Sequence, residues 1–290
     1  MAIEAIIPKT SRFLTDDGTI VPFGPLPAKD KPKVYETLEW AMTRLPDFEG
    51  KKALILPGAW YPPTVALFAE ANFSRANSVE EADVVVFIGG EDVDPSLYGQ
   101  KALAGTHFNK ERDKTEVDIY AHCLALKKPM FGICRGGQFL ATMNGAELWQ
   151  DVNHHAGSHH EIYDIDEDVK LTTNSYHHQM VILHDKLDVL AVTNHQVATR
   201  FASDSMVVDL DKKGANQEGE IEVEAGYYYD TGCFFTQGHP EVGSPEYRSW
   251  VMTKLYDFLS SPHDDPFTGG KNKSKLVESD LELWRQVALM

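Results

Sequence analysis

Short apolar runs alternate with stretches of helical spacing along the middle of the chain. Ala53-Leu54-Ile55-Leu56 reads as a strand and Pro63 to Glu70 as a helix. Asp83 to Ile88 is a nearly unbroken β-branched run, the mark of a strand buried on both faces of a parallel sheet. Asp113 to Lys127 predicts a helix with Val117, Tyr120, Ala121 and Leu124 on its inner face. Met130 to Ile133 is a second buried strand, and Gly136 to Met143 follows as a helix. This alternation predicts an α/β fold, a mostly parallel central sheet flanked by helices. Between about residues 146 and 237 strands become frequent and helices rare. That predicts an antiparallel edge or flap, with a turn at Asp211 to Asn216. Ser244 caps a closing helix that runs to Leu259, with Pro245 in its first turn and Val251, Leu255, Phe258 and Leu259 facing inward.

Both flanks read differently. Arg12 to Thr15 and Thr19 to Val21 bracket Asp17-Gly18, a hairpin signal. Asp30 then caps a helix from Pro32, with Val34, Leu38, Ala41, Met42 and Leu45 at helical spacing. At the other end, Pro262 to Lys275 reads as a polar linker and Leu276 to Leu289 as a last docking helix. The expected division is an extension at 1–50, a main domain at 51–261, and a linker with a short helix at 262–290.

Composition narrows the function classes. The 290 residues carry 27 positive and 44 negative side chains, a net charge of −17. Such a chain repels phosphate backbones and anionic lipid, so neither nucleic acid nor membrane is an expected partner. Apolar runs such as Val84 to Ile88 fall far short of the roughly 20 residues a membrane span needs. Met1-Ala2-Ile3-Glu4 shows no signal-peptide pattern. Three cysteines make no disulfide framework, which suits a reducing cytoplasm.

The sharpest local feature is Phe131-Gly132-Ile133-Cys134-Arg135-Gly136-Gly137-Gln138. A buried strand ends in glycine, glycines resume two residues later, and Cys134 stands between. This is a nucleophile elbow with cysteine in place of serine. The dipole of the following helix favours the thiolate, the reactive form of the side chain. Cys123 and Cys233, on apolar elements, read as core. A cysteine nucleophile needs a base and a group to orient it. Thr236-Gln237-Gly238-His239-Pro240-Glu241 supplies both, with His239 beyond an apolar strand and Glu241 two residues on. Phe87-Ile88-Gly89-Gly90 is a strand running into two glycines, able to turn the Gly90 backbone N–H toward a developing oxyanion. The backbone N–H of Arg135 is the natural second donor. Asp92 and Asp94 lack the further ligands of a calcium loop.

Gly132 to Gln138 together with His239-Pro240-Glu241 resembles the class I glutamine amidotransferase domain. The branch it is most similar to is the γ-glutamyl hydrolase-like one, peptidase family C26, which includes γ-glutamyl-γ-aminobutyrate hydrolases. Gly89 to Gly99, Arg112-Asp113 with Glu116, Trp149 to Val152, and Asn174 to Gln179 point the same way, and the resemblance covers about residues 51–261. It implies a flavodoxin-like fold and cleavage of a γ-glutamyl amide through a thioester, with no cofactor. Cys134 would attack, His239 act as base and acid, and Glu241 orient it. Gln138, Tyr176, His177 and His178 match positions lining the glutamyl pocket. The implied substrate is glutamine or another γ-glutamyl amide, with ammonia passed to a separate synthase. A free-standing hydrolase of a γ-glutamyl amine is the alternative, and a catalytically silent regulatory or binding protein on the same fold is a further one. Homo-oligomerisation stays open. Gly238 departs from the family, which usually has a bulky aromatic there, and the exchange is expected to widen the pocket or loosen the base.

Six of the twelve histidines are His154, His155, His159, His160, His177 and His178. His177-His178 belongs to the motif already described, and the other four read as part of a loop around Ala156-Gly157-Ser158. No metal is expected there, although such tracts bind metal adventitiously.

Overall fold

The computed structural model describes residues 44–212 and 220–260, together with the backbone of β1 (Arg12–Leu14) and β2 (Ile20–Pro22). These two pair antiparallel, Phe13 opposite Val21, in agreement with the expected hairpin. The helix from Pro32, most of the turn after Asp211, the linker from Pro262 and the helix at Leu276 to Leu289 lie outside the described residues.

The alternation read from the sequence folds as β3 (Lys52–Ile55), α1 (Tyr61–Glu70), β4 (Ser74–Arg75), β5 (Val84–Phe87), α2 (Lys110–Leu126), β6 (Met130–Ile133) and α3 (Arg135–Met143). Then come β7 (Leu148–Trp149), β8 (Asp151–Val152), the long pair β9 (Ala156–Asp164) and β10 (Val169–Tyr176), β11 (Met180–Val181), β12 (Asp188–Thr193), β13 (Arg200–Ala202), β14 (Val207–Asp209), β15 (Val223–Tyr228) and β16 (Cys233–Thr236). The helix α4 (Pro245–Ser260) follows.

The main sheet has the order β10-β9-β12-β15-β16-β6-β5-β3-β4. From β16 to β4 every neighbour is parallel, and from β10 to β16 every neighbour is antiparallel. The fold is therefore the expected α/β sheet, and its antiparallel region continues the same sheet. A smaller sheet of β14, β13 and β8 packs around buried Trp149 and Phe201.

The buried run at β5 explains how the layers stack. Val84, Val86 and Ile88 point into one apolar layer, with Leu67 and Phe68 of α1 and Val251, Leu255 and Phe258 of α4. Val85 and Phe87 point into the other, with Tyr120 and Cys123 of α2 and Phe139 to Ala141 of α3. Phe48 joins the first layer by stacking on Phe73 at 4.2 Å, so packing extends slightly upstream of residue 51. The α4 cap is as expected: the Ser244 hydroxyl accepts the Tyr247 N–H at 3.2 Å.

Two expectations are corrected. The inward face of α2 is Asp113, Glu116, Tyr120 and Cys123, and Ala121 is exposed. Carboxylates can be buried there because the Arg135 guanidinium pairs with both. The tract from Ala156 is strand β9, and His155 just before it is fully buried. Among the described residues no helix is long and apolar enough to cross a membrane.

A close approach of two backbones yields a test. A Cβ at Gly136 would overlap the Phe87 carbonyl, which is backbone and cannot turn aside. Gly136→Ala should lower stability by roughly 1–3 kcal/mol, read as a lower urea midpoint. Gly105→Ala, where nothing lies within 4 Å, should change it by less than about 0.5 kcal/mol.

Candidate active site

Cys134 occupies the turn between β6 and α3 with φ +53° and ψ −116°, a conformation costly for a residue with a Cβ. The turn is this sharp because its glycines let three backbones meet. A Cβ on Gly132 would lie 2.6 Å from the Gly137 backbone, while Gly136 abuts the end of β5. The Cys134 N–H donates to the Thr236 carbonyl at 2.8 Å, which ties the elbow to β16. The side chain borders a cleft of about 640 Å³ lined by Pro57, Gly58, Ala59, Trp60, Gly90, Glu91, Arg112, Tyr176 and His239. Cys123 and Cys233 are fully buried, and burial pushes their thiols up to about 12.

His239 and Glu241 meet as expected, Nδ1 to Oε1 at 2.7 Å. A Cβ on Gly89 would touch His239 Cε1 at 3.0 Å and Cys134 Cβ at 3.9 Å, so the two side chains face each other across that glycine. Burial opposes a charge on His239. The Cys134 sulfur, hydrogen-bonded to the ring, and then Glu241 outweigh it and push the pKa from 6.5 up to about 10.

The histidine is held from behind by Asn174, a residue without an assigned role in the sequence reading. Its Nδ2 donates to the His239 carbonyl at 2.9 Å, and its Oδ1 accepts the His239 N–H at 2.7 Å. Gly238 neither widens the pocket nor frees the base. The space for a side chain there is filled by Thr173 Oγ1 and the Tyr247 phenol. Tyr247 in turn hydrogen-bonds Thr236 at 2.5 Å.

The loop facing Cys134 is set by Arg112. Its Nη2 donates to the carbonyls of Ile88 at 2.8 Å and Gly89 at 3.1 Å, and Nε donates to Glu116 at 2.8 Å. The Ala59 N–H also donates to the Gly89 carbonyl at 3.0 Å. In a planar trans peptide the Gly90 N–H must point the opposite way from that carbonyl. Gly90 itself has φ +148°, and Arg112 Nη1 occupies the place a Cβ would take. The Arg135 N–H, in the first turn of α3, has no partner within the helix and lies next to the sulfur-bearing residue.

The remaining candidates divide. Tyr176 lines the cleft, exposed, with its ring 5.8 Å from His239. Gln138, His177 and His178 do not line it. Gln138 is buried and donates to the Gln179 carbonyl at 2.8 Å. His177 is buried on that same carbonyl through Nδ1 at 2.9 Å, and burial pushes its pKa down to about 3. His178 pairs with Asp92 at 2.9 Å. Trp60, which the sequence reading passed over, lies 6.1 Å from Tyr176 in a stacked pair. Its one sequence signal is an aromatic placed just before the Pro62-Pro63 helix start.

The family model of peptidase C26 matches residues 58–241, and the chain belongs to that family, within the class I glutamine amidotransferase-like proteins. The chain is 28% identical to Protein NtpR of Enterococcus hirae over 57% of its own length and 69% of that protein. It is 32% identical to the γ-glutamyl-CDP-amidate hydrolase of Campylobacter jejuni, over 37% of this chain and only 48% of that protein. The solved structure of PurLQS from Thermotoga maritima superposes with a TM-score of 0.50 at 12% identity, covering 73% of this chain and 99% of that one. The last likeness concerns the fold alone.

The raised pKa of His239 has a defined sign. Its folded value lies above its ordinary one, so the charged ring contributes stability that is full below 6.5, declines as pH rises above that value and is gone beyond about 10. The His239 Cε1–H resonance should therefore stay at its imidazolium position through neutral pH. In Cys134→Ser, which removes the sulfur, titration should move toward lower pH. A wild-type ring that titrates near 6.5 would contradict the assigned contacts.

Proposed function

We propose that this C26 chain is a cysteine-dependent hydrolase of a γ-glutamyl amide. The observation that carries the reading is Cys134 on its strained elbow, facing an imidazole that Glu241 and Asn174 hold in place. The Cys134 sulfur attacks the γ-carbonyl carbon, and the oxyanion is received by the N–H groups of Gly90 and Arg135. The C–N bond breaks as His239 gives its proton to the leaving amine, and a thioester remains. A water then loses a proton to His239 and attacks the thioester, releasing glutamate and restoring the thiolate. Glu241 holds the imidazolium that carries the proton between the two halves.

The cleft favours a leaving amine larger than ammonia. Its volume of about 640 Å³ exceeds what a glutamine side chain needs, and Trp60 and Tyr176 offer flat apolar walls beside the sulfur. The partial likeness to a γ-glutamyl-CDP-amidate hydrolase supports the same class of substrate. The competing assignment is a glutaminase that passes ammonia to a separate synthase.

Three variants and a panel of substrates test this reading. Cys134→Ala should take no covalent adduct from a glutamine-like electrophile, whereas the wild type is labelled at that residue alone. His239→Ala should lower kcat by roughly 10²–10⁴-fold, and Glu241→Ala by less. Glutamate release from a panel of γ-glutamyl amines should outpace release from glutamine with the isolated chain. Weak activity on the whole panel, with glutaminase rising when a synthase is added, would decide for the amidotransferase assignment. Labelling that persists in Cys134→Ala would overturn the nucleophile.

A further inference from the structure

A second cluster of reactive side chains lies outside the cleft, beneath the strand ends that lead to His239. His155, His177 and Glu224 are buried, and each offers one nitrogen or oxygen within 4.8 Å of the others. Their hydrogen bonds identify the atoms. His155 Nε2 meets Glu222 at 2.5 Å, so Nε2 carries the hydrogen and the Nδ1 lone pair is left facing Glu224 Oε1 at 3.9 Å. His177 Nδ1 donates to the Gln179 carbonyl, which leaves Nε2 as a bare lone pair. Glu224 Oε1 accepts from His160 Nε2 at 2.8 Å. Among the described residues no hydrogen-bond partner reaches His177 Nε2 or Glu224 Oε2, although both are buried.

Orphaned buried acceptors are costly, and lone pairs that face one another are worse. Glu222 is met by His155, Gln196 and the N–H groups of Val197 and Ala198, whereas buried Glu224 has His160 on one oxygen and, among the described residues, no hydrogen-bond partner on the other. We propose that His155 Nδ1, His177 Nε2 and Glu224 bind one divalent metal ion of the zinc class, in a closed structural site separate from the active-site cleft.

The chemistry of the set fits. Two neutral imidazoles and a carboxylate suit a borderline dication, and its charge offsets the two buried carboxylates. A tetrahedral ion with bonds of about 2 Å needs its ligands ~3.3 Å apart, a modest contraction of the present spacing. Supporting hydrogen bonds that orient ligands are already in place: Glu222 on His155, the Gln179 carbonyl on His177, and His160 on Glu224. The Ser175 hydroxyl, 3.1 Å from His155 Nδ1, is placed to yield that lone pair or to stand as a neighbouring oxygen. The ion would join β15 to the chain on either side of β9 and β10. Gln237, between His177 and the Gly238-His239 turn, links it to the base through the Gln179 carbonyl, to which its Nε2 donates at 3.2 Å.

The test uses the full chain prepared without a histidine tag, stripped by chelator and reloaded with Zn²⁺ or Co²⁺. The expected result is one Zn²⁺ per chain after gel filtration, a higher Tm with Zn²⁺, and visible Co²⁺ absorption of tetrahedral intensity. His177→Gln and Glu224→Gln should lose the ion and the Tm gain. The double variant His154→Ala/His159→Ala, changed at exposed histidines, should keep both. X-ray absorption on the zinc-loaded wild type should show two imidazoles with oxygen and no sulfur, which keeps the proposal testable if the buried variants fail to fold. A stripped wild type that binds no Zn²⁺ at micromolar concentration would overturn it. So would binding that vanishes with the exposed pair, or a zinc–sulfur distance.

Discussion

Glu116 is buried between two arginines, and most of the active-site geometry depends on that arrangement. On one side Arg112 bonds it and holds the carbonyls of Ile88 and Gly89. On the other side Arg135, the residue directly after Cys134, bonds it and Asp113. One carboxylate of α2 thereby couples the elbow to the loop that faces it. Breaking such a buried set leaves a charge unpaired at a cost of about 3–5 kcal/mol, so loop and elbow are held in one arrangement before any substrate arrives. Preorganisation of this kind lets backbone N–H groups stabilise an oxyanion without reorganising during the reaction.

The imidazole of His239 is held by a different logic. His239 follows Gly238, so no side chain of its own turn braces it. Two other elements supply the brace: Asn174 from β10 grips the backbone on both sides, and Tyr247 from α4 fills the vacant volume. An aromatic ring delivered from a helix thus occupies the space beside the histidine. The glycine at 238 and the tyrosine at 247 are one packing solution, and a Cβ at 238 would collide with that ring and with Thr173 Oγ1.

The Tyr176 side of the cleft and the buried histidine cluster both arise from the antiparallel half of the sheet. β10 contributes Tyr176 to the cleft and Asn174 to the base, while the residues around β9 contribute His155 and His160 to the interior. The parallel half carries Cys134 at a strand end, the usual place for functional groups in open α/β sheets. Residues from both halves surround it, Trp60 and Arg112 from the parallel one and Tyr176 from the antiparallel one.

The sequence alone determined the parallel half, the elbow at Cys134 and the pair His239 and Glu241. Those features are local: a β-branched run, glycines spaced around one cysteine, and a carboxylate two residues from a histidine all act within a few residues of one another. The tertiary structure decided what depends on residues distant in the chain. Asp113 and Glu116 are absent from the inner face that periodicity predicts, and they are buried because Arg135 reaches them from another helix. Gln138 and His177 read as pocket residues, yet both turn to the carbonyl of Gln179. Trp60 joins Tyr176 across 116 residues of chain, and Gly238 has its meaning only beside Tyr247. Charge pairing and volume filling are properties of neighbours in space, and periodicity along a chain carries no record of which neighbours those will be.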